Sequence, residues 1–174
     1  MKRIEIHPSV ELAWNIANVE ACLAGTPRIE PVHFLLATLI IIDGVFEEIA
    51  DTMKLSSETI REIFDVAAEC RDLLQMSDDE ITKARRALRR ALREGAEAEE
   101  FVTLHRSGES RFIFQRAGRR TINAGEDRLT MVHLLAEILQ HMPSEAESFF
   151  KTSVVAPQKE VEEWPDYIVD DRRN

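Results

Sequence analysis

The sequence predicts an all-α fold built from two copies of one helical unit, with a long charged helix between them. Three observations lead there. The first is a repeat: sliding the chain by one hundred positions lays Ala17–Leu39 onto Ala117–Leu139 without a gap. Ala17, Ala24, Gly25, Arg28, Val32, His33, Leu35 and Leu39 recur as Ala117, Ala124, Gly125, Arg128, Val132, His133, Leu135 and Leu139. Chance at residue frequencies of about 5–7% would give roughly one or two such matches. The second is that each copy reads as a helix, a glycine stop, a short loop and an apolar helix. The third is a heptad seam over residues 77–104 in an otherwise charged stretch. A repeat of fixed period governs the architecture and is read first.

Taken in order, Lys2 to His7 alternates weakly and suits a short extended arm, with Ser9 as cap of the first helix. Val10, Ala13, Ile16, Ala17, Ala21 and Ala24 then fall at helical spacing. Gly25 follows, where a helix can end in a left-handed residue at no steric cost. Pro31 suits the first position of the next helix, because its missing N–H would have no intrahelical partner there. That helix, Val32 to Ile42, is almost wholly apolar. It is shorter than the roughly 20 residues a bilayer requires, so protein should surround it. Asp43-Gly44 breaks the chain, Val45 to Met53 reads as a third helix, and Ser57 caps a fourth. Ile60, Ile63, Phe64, Ala67 and Cys70 share one face of that fourth helix.

Ser77 and Glu80 form a capping box. Ile81, Ala84, Leu88, Ala91, Gly95, Ala98 and Val102 continue as the seam of one helix of about 25 residues, some 38 Å long. A narrow apolar stripe needs one neighbour, and packing on its own domain is expected rather than on a second chain. The Arg85, Arg86, Arg89, Arg90 and Arg93 ridge would then face water, open to an acidic partner. His105–Ser110 is a loop. The second copy follows with Ile113, Phe114, Ala117, Ile122 and Ala124, a Thr130 cap, and a short last helix capped by Ser144 and Glu147 that ends near Lys151. Residues 153–174 contain Pro157 and Pro165, scattered acids and no helical period, which suits an acidic tail whose sticky residues are Trp164, Tyr167 and Ile168.

The pattern A-x-x-x-A-x-x-A-G-x-x-x-I-x-x-V-H-F-L-L resembles the repeat of the Clp N-terminal domain, the all-helical module at the front of Clp/Hsp100 unfoldase ATPases. Its His-Leu-Leu-like signature is His33-Phe34-Leu35-Leu36 in the first copy and His133-Leu134-Leu135 in the second. The resemblance implies two pseudo-symmetric four-helix repeats, residues 9–75 and 108–152. The second lacks its last helix, and residues 77–104 are an insertion. It implies a single domain over residues 1–152 and a tail or linker over 153–174. Gly25, His33, Leu35, Gly125, His133 and Leu135 are then structural signature positions. It also implies a non-catalytic module that docks substrates or adaptors; the alternative is a stand-alone or fused regulatory module without unfoldase linkage. Some members hold phosphoarginine with a Glu just before the signature His. Val32 and Val132 stand at those places, so that ligand is not carried over.

Composition bounds the rest. A net charge of −10 disfavours nucleic acid, and no partner membrane is implied. Cys22 and Cys70 lie on apolar helical faces without metal spacing, so two reduced buried thiols in the cytoplasm are expected. Residues 1–7 carry no apolar signal-peptide core. None of the six glycines precedes a lysine, which excludes a phosphate-binding Walker loop within this sequence. Glu30-x-x-His33 matches half of a di-iron helix pair, but Thr130 replaces the second glutamate. His133, Glu137 and His141 share one helical face and are expected to be solvated rather than to hold zinc, which needs further fixed ligands. His33 and His133 are expected to bond a neighbouring loop while their rings pack. No catalytic residue, cofactor or metal is expected. The expected partner is a protein or peptide, and the chain itself a monomer or homodimer.

Overall fold

The computed structural model describes residues 4–97, 100 and 102–150. Among these the fold is all-α. Its elements are β1 (Glu5–Ile6), α1 (Pro8–Leu23), α2 (Pro31–Ile42), α3 (Glu47–Thr52), α4 (Ser57–Leu74), α5 (Asp78–Arg93), α6 (Gly108–Asn123), β2 (Arg128–Leu129) and α7 (Met131–Gln140), then a 3-10 turn at Glu147–Phe149. Lys2, Ala98, Lys151 and the expected tail, with Trp164, Tyr167 and Ile168, lie outside the described residues. No helix among the described residues is long and apolar enough to cross a membrane.

The helix ends follow from local chemistry. α1 and α6 stop alike. Gly25 and Gly125 both have positive φ, 63° and 77°. The Gly25 N–H donates to the Cys22 carbonyl and the Thr26 N–H to that of Ala21, both at 3.0 Å. One hundred residues on, Gly125 donates to Ile122 at 2.9 Å and Glu126 to Thr121 at 3.0 Å. This reverse bonding satisfies carbonyls that the helix leaves open. The starts differ from expectation in two places. His7 caps α1 instead of Ser9, its Nδ1 accepting from the Ser9 N–H at 3.1 Å. Ser56 caps α4 instead of Ser57, because its hydroxyl lies 3.1 Å from the Thr59 N–H.

Two short parallel exchanges tie the halves together. Glu5 and Ile6 pair with Arg128 and Leu129, and Ile29 pairs with Arg106. The His7 N–H donates to the Leu129 carbonyl (2.9 Å), and the Ser107 N–H to the Ile29 carbonyl (3.0 Å). In both cases the residues entering one helix bond the loop before a helix of the other half. Ile4, Ile29 and Leu129 are buried beneath them.

One apolar core runs through all seven α-helices. α2 is its axis, packed by α1, α4, α5, α6 and α7. Trp14, Phe34 and Phe114 meet edge to face at centroid distances of 5.0–6.1 Å, which locks α1, α2 and α6 at one point. The Arg106 guanidinium lies 4.5 Å over the rings of both Trp14 and Phe114.

The intervening helix is shorter than its heptad pattern suggests. α5 ends at Arg93, because Glu94 turns extended and Gly95 adopts φ 72°. Ile81, Ala84 and Leu88 are buried, and α5 lies on α2 and on the 3-10 turn. Ala91 is exposed, and Val102 is off the helix with 48% exposure. The chain beyond Gly95 returns along α1: Asn18 holds the Val102 carbonyl at 2.9 Å and the Leu104 N–H at 2.7 Å. The Ser77–Glu80 capping box forms as expected. The one expected at Ser144 and Glu147 does not. Ala146 precedes the 3-10 turn, and the Ser144 hydroxyl donates to Glu145 instead. α3 is shorter than expected, running from Glu47 to Thr52. Phe64, expected on the buried face of α4, is 47% exposed; Val66 is buried there.

Candidate functional site

The signature histidines begin the two central helices. The Glu30 N–H donates to His33 Nδ1 at 2.9 Å, and the Thr130 N–H to His133 Nδ1 at 3.1 Å. Each ring thus reaches back from the third helical position to the residue before the helix and satisfies a donor the helix cannot. Accepting at Nδ1 places the proton of a neutral ring on Nε2. The two rings then diverge. His33 is fully buried, and its Nε2 has no hydrogen-bond partner among the described residues. Burial lowers its pKa to about 4 against the opposing fields of Glu20 and Glu145. His133 Nε2 lies 3.4 Å from a Glu126 carboxylate oxygen; burial lowers its pKa too, and Glu126 opposes the shift. Leu35 and Leu135 follow, both fully buried.

Arginine–carboxylate clusters surround this core. Glu20 is buried on α1, clamped by Arg89 Nη2 at 2.7 Å and Arg93 Nη2 at 2.9 Å. Asp43, at the end of α2, accepts from the Thr82 hydroxyl (2.7 Å) and Arg85 Nε (2.6 Å). Burial alone would raise the Asp43 carboxyl, but these two donors bring it below the usual carboxylate range. The arginine ridge therefore divides. Arg85, Arg89 and Arg93 turn onto the body of the domain instead of facing water, while Arg86 and Arg90 remain exposed. The physical reason is that the buried carboxylate of Glu20 and the half-buried one of Asp43 require compensation. Sequence reasoning missed both partners. Glu20 could have been found, since it interrupts the apolar spacing of Ile16, Ala17 and Ala21 on α1.

The His133–Glu137–His141 face is likewise not a solvated stripe. Glu137 is 2% exposed and is held by Arg116 Nε at 2.9 Å and Arg120 Nη2 at 2.7 Å. His141 Nδ1 sits 3.1 Å from the Glu137 carbonyl, and its ring meets Phe112 edge on. Two arginines on the carboxylate leave it no role as a metal ligand. Glu30 caps α2 while the His33 ring packs inward, and no group of three or more His, Cys, Asp or Glu among the described residues could hold a metal ion. Cys22 and Cys70 are buried free thiols, and burial pushes the Cys70 thiol up, away from the reactive thiolate.

Surface features are modest. A shallow cleft of about 220 Å³ lies between the start of α2, α6 and the end of α7, lined by Pro31, Glu109, Phe112, Ile113 and His141. A second apolar spot lies where the α2–α3 loop meets α4. There the rings of Phe46 and Phe64 pack at a tilt with centroids 5.5 Å apart, and Val45 is 54% exposed. Just before the two histidines, Val32 is buried and Val132 half-buried. No protein-family model matches the chain, and no curated protein matches it.

Proposed function

We propose that the chain is a non-catalytic protein-interaction module similar to the Clp N-terminal domain, docking substrates or adaptors for a Clp-type ATP-dependent unfoldase in the cytoplasm. The observation that carries this reading is the recurrence of bonds at the hundred-residue offset: the glycine stops, the histidine caps and the two exchanged pairings. They support a duplicated unit over residues 9–75 and 108–152, with α5 inserted between and resting on α2. Such modules work by presenting apolar clefts between helices to peptides or adaptor helices. Protein partners fit the negative net charge better than nucleic acid does.

A second reading, a regulatory module that has kept the fold without the unfoldase, is favoured by α5. That helix is held by arginine pairs to Asp43 and Glu20 and covers part of the central helix. One experiment separates the two. The chain is fused to a Clp-type unfoldase stripped of its own N-terminal domain, and adaptor-dependent degradation is followed by fluorescence. Restored degradation is expected. Saturable binding of a host protein without restoration selects the regulatory reading, and no saturable protein binding overturns both.

A further inference from the structure

Charge is segregated along this chain. Residues 47–72, spanning α3 and α4, contain eight acidic and three basic residues; α6 contains four arginines and one glutamate. Seven of the eight acids are exposed, and Glu62 is half-buried. Amid them sits the tilted Phe46–Phe64 ring pair. Phe46 is 5% exposed and anchors the ring of Phe64, which is itself 47% exposed. Val45 beside it is 54% exposed, and Ile60 lies one helical turn before Phe64 and is half-buried. The three local cations are Lys54, Arg61 and Arg71. Arg71 is occupied, bonding the Ile42 carbonyl at 3.2 Å and pairing with Asp78 at 3.2 Å. The acids outnumber them by five.

We propose that this α3–α4 face docks a basic amphipathic segment of a partner protein, with apolar side chains on Val45 and Phe64 and lysines or arginines on the rim of Glu47, Glu48 and Asp65. The inference rests on the interaction-module reading and names the partner's chemistry. An aromatic ring already fixed by its neighbour is ordered before binding, so docking costs little further side-chain entropy. Its face also attracts a cation directly. The surrounding carboxylates draw a basic segment and repel an acidic one, so charge helps select the partner.

The test uses three fluorescein-labelled 18-residue peptides: a Lys/Leu amphipathic helix, its scrambled isomer, and a Glu/Leu counterpart. Anisotropy at 0.15 M NaCl is expected to rank the amphipathic basic peptide at least tenfold tighter than either control. Phe64→Ala and the double variant Glu47→Lys/Asp65→Lys should each weaken it tenfold or more. The second variant alters only exposed side chains, and circular dichroism melts confirm folding of both. Equal binding of the scrambled peptide, or unchanged affinity in both variants, overturns the proposal. Sedimentation that finds a dimer dissolved by Phe64→Ala also overturns it, because the occupant would then be a second copy. If the unfoldase fusion restores degradation and Phe64→Ala leaves it intact, the surface assignment falls while the module reading stands.

Discussion

All twelve residues of α2 are buried, whereas α7 buries six of its ten. Val132, Ala136 and Leu139 stay half-exposed, and Gln140 is exposed. Both helices follow the same glycine stop and the same histidine cap, and both are packed by α1, α4 and α6. What separates them is α5, which packs on α2 and on the 3-10 turn. Two stretches that share their signature residues thus acquire different surroundings. The apolar run Leu39–Ile42 suits a helix enclosed on every side; Ala136–Gln140 suits one with an open flank.

The comparison breaks most directly at Leu88, which is fully buried under α5. Leu88→Asp removes a core side chain and buries an unpaired carboxylate, so a loss of about 4 kcal/mol or more is expected. Thermal melting and sedimentation should report a monomer that melts lower. A dimer dissolving into stable monomers would instead mean that α5 serves a second chain. Leu35→Ala and Leu135→Ala should each cost roughly 2–5 kcal/mol in urea, since both leucines are fully buried. A cost below about 0.5 kcal/mol at Leu135 would mean that the open flank of α7 lets its core collapse around the gap.

The histidines sharpen the contrast. His33 has a folded-state pKa near 4 against 6.5 when unfolded. The unfolded chain therefore takes up this proton first. Stability from this group is complete above about pH 6.5, falls as the pH drops through the interval to 4, and loses no more below it. At about 1.4 kcal/mol per pH unit the total is at most about 3.5 kcal/mol. Urea melts at pH 7.5, 5.5 and 4.5 should show the slope, and His33→Leu should flatten it even though it loses the cap. The smallest effect expected is at the glycines. A Cβ on Gly25 would meet the Glu97 carbonyl oxygen at 2.6 Å, while one on Gly125 meets nothing within 4 Å. Both positions have positive φ, so Gly125→Ala should cost about 1 kcal/mol and Gly25→Ala about 1–2 kcal/mol more. Equal melting temperatures would mean that the chain after α5 yields freely.

Much of this was legible in the residues themselves. Helical spacing placed α1, α4 and α6, whose buried residues recur along one face, while the enclosed α2 and its counterpart α7 were marked by the glycine stop, the helix-start residue and the apolar run that follows. The heptad seam misplaced the end of α5, since Gly95 satisfies the small-residue spacing of a seam and also stops a helix; periodicity cannot separate the two uses. Phe64 misled for a related reason. It stands one position from buried Ile63, and spacing alone does not fix how wide a flank of α4 is covered. Least legible were the arginine clamps. Arg89 and Arg93 look like solvent-facing charge until Glu20, about seventy residues earlier, is seen folded beneath them.

The exchanged pairing of β1 with β2 sets an order of events during synthesis. Glu5 leaves the ribosome well before its partner Arg128, which is made over one hundred residues later. At about 5–20 residues per second the wait lasts roughly 6–25 s. Throughout it the nascent first half holds an apolar arm, Ile4 and Ile6, without the backbone that will receive it. The second half meets the same constraint from the other side, since Ser107 must find Ile29 in a segment already emerged. Neither half can finish alone, and a nascent chain interrupted before Arg128 is left with an open seam.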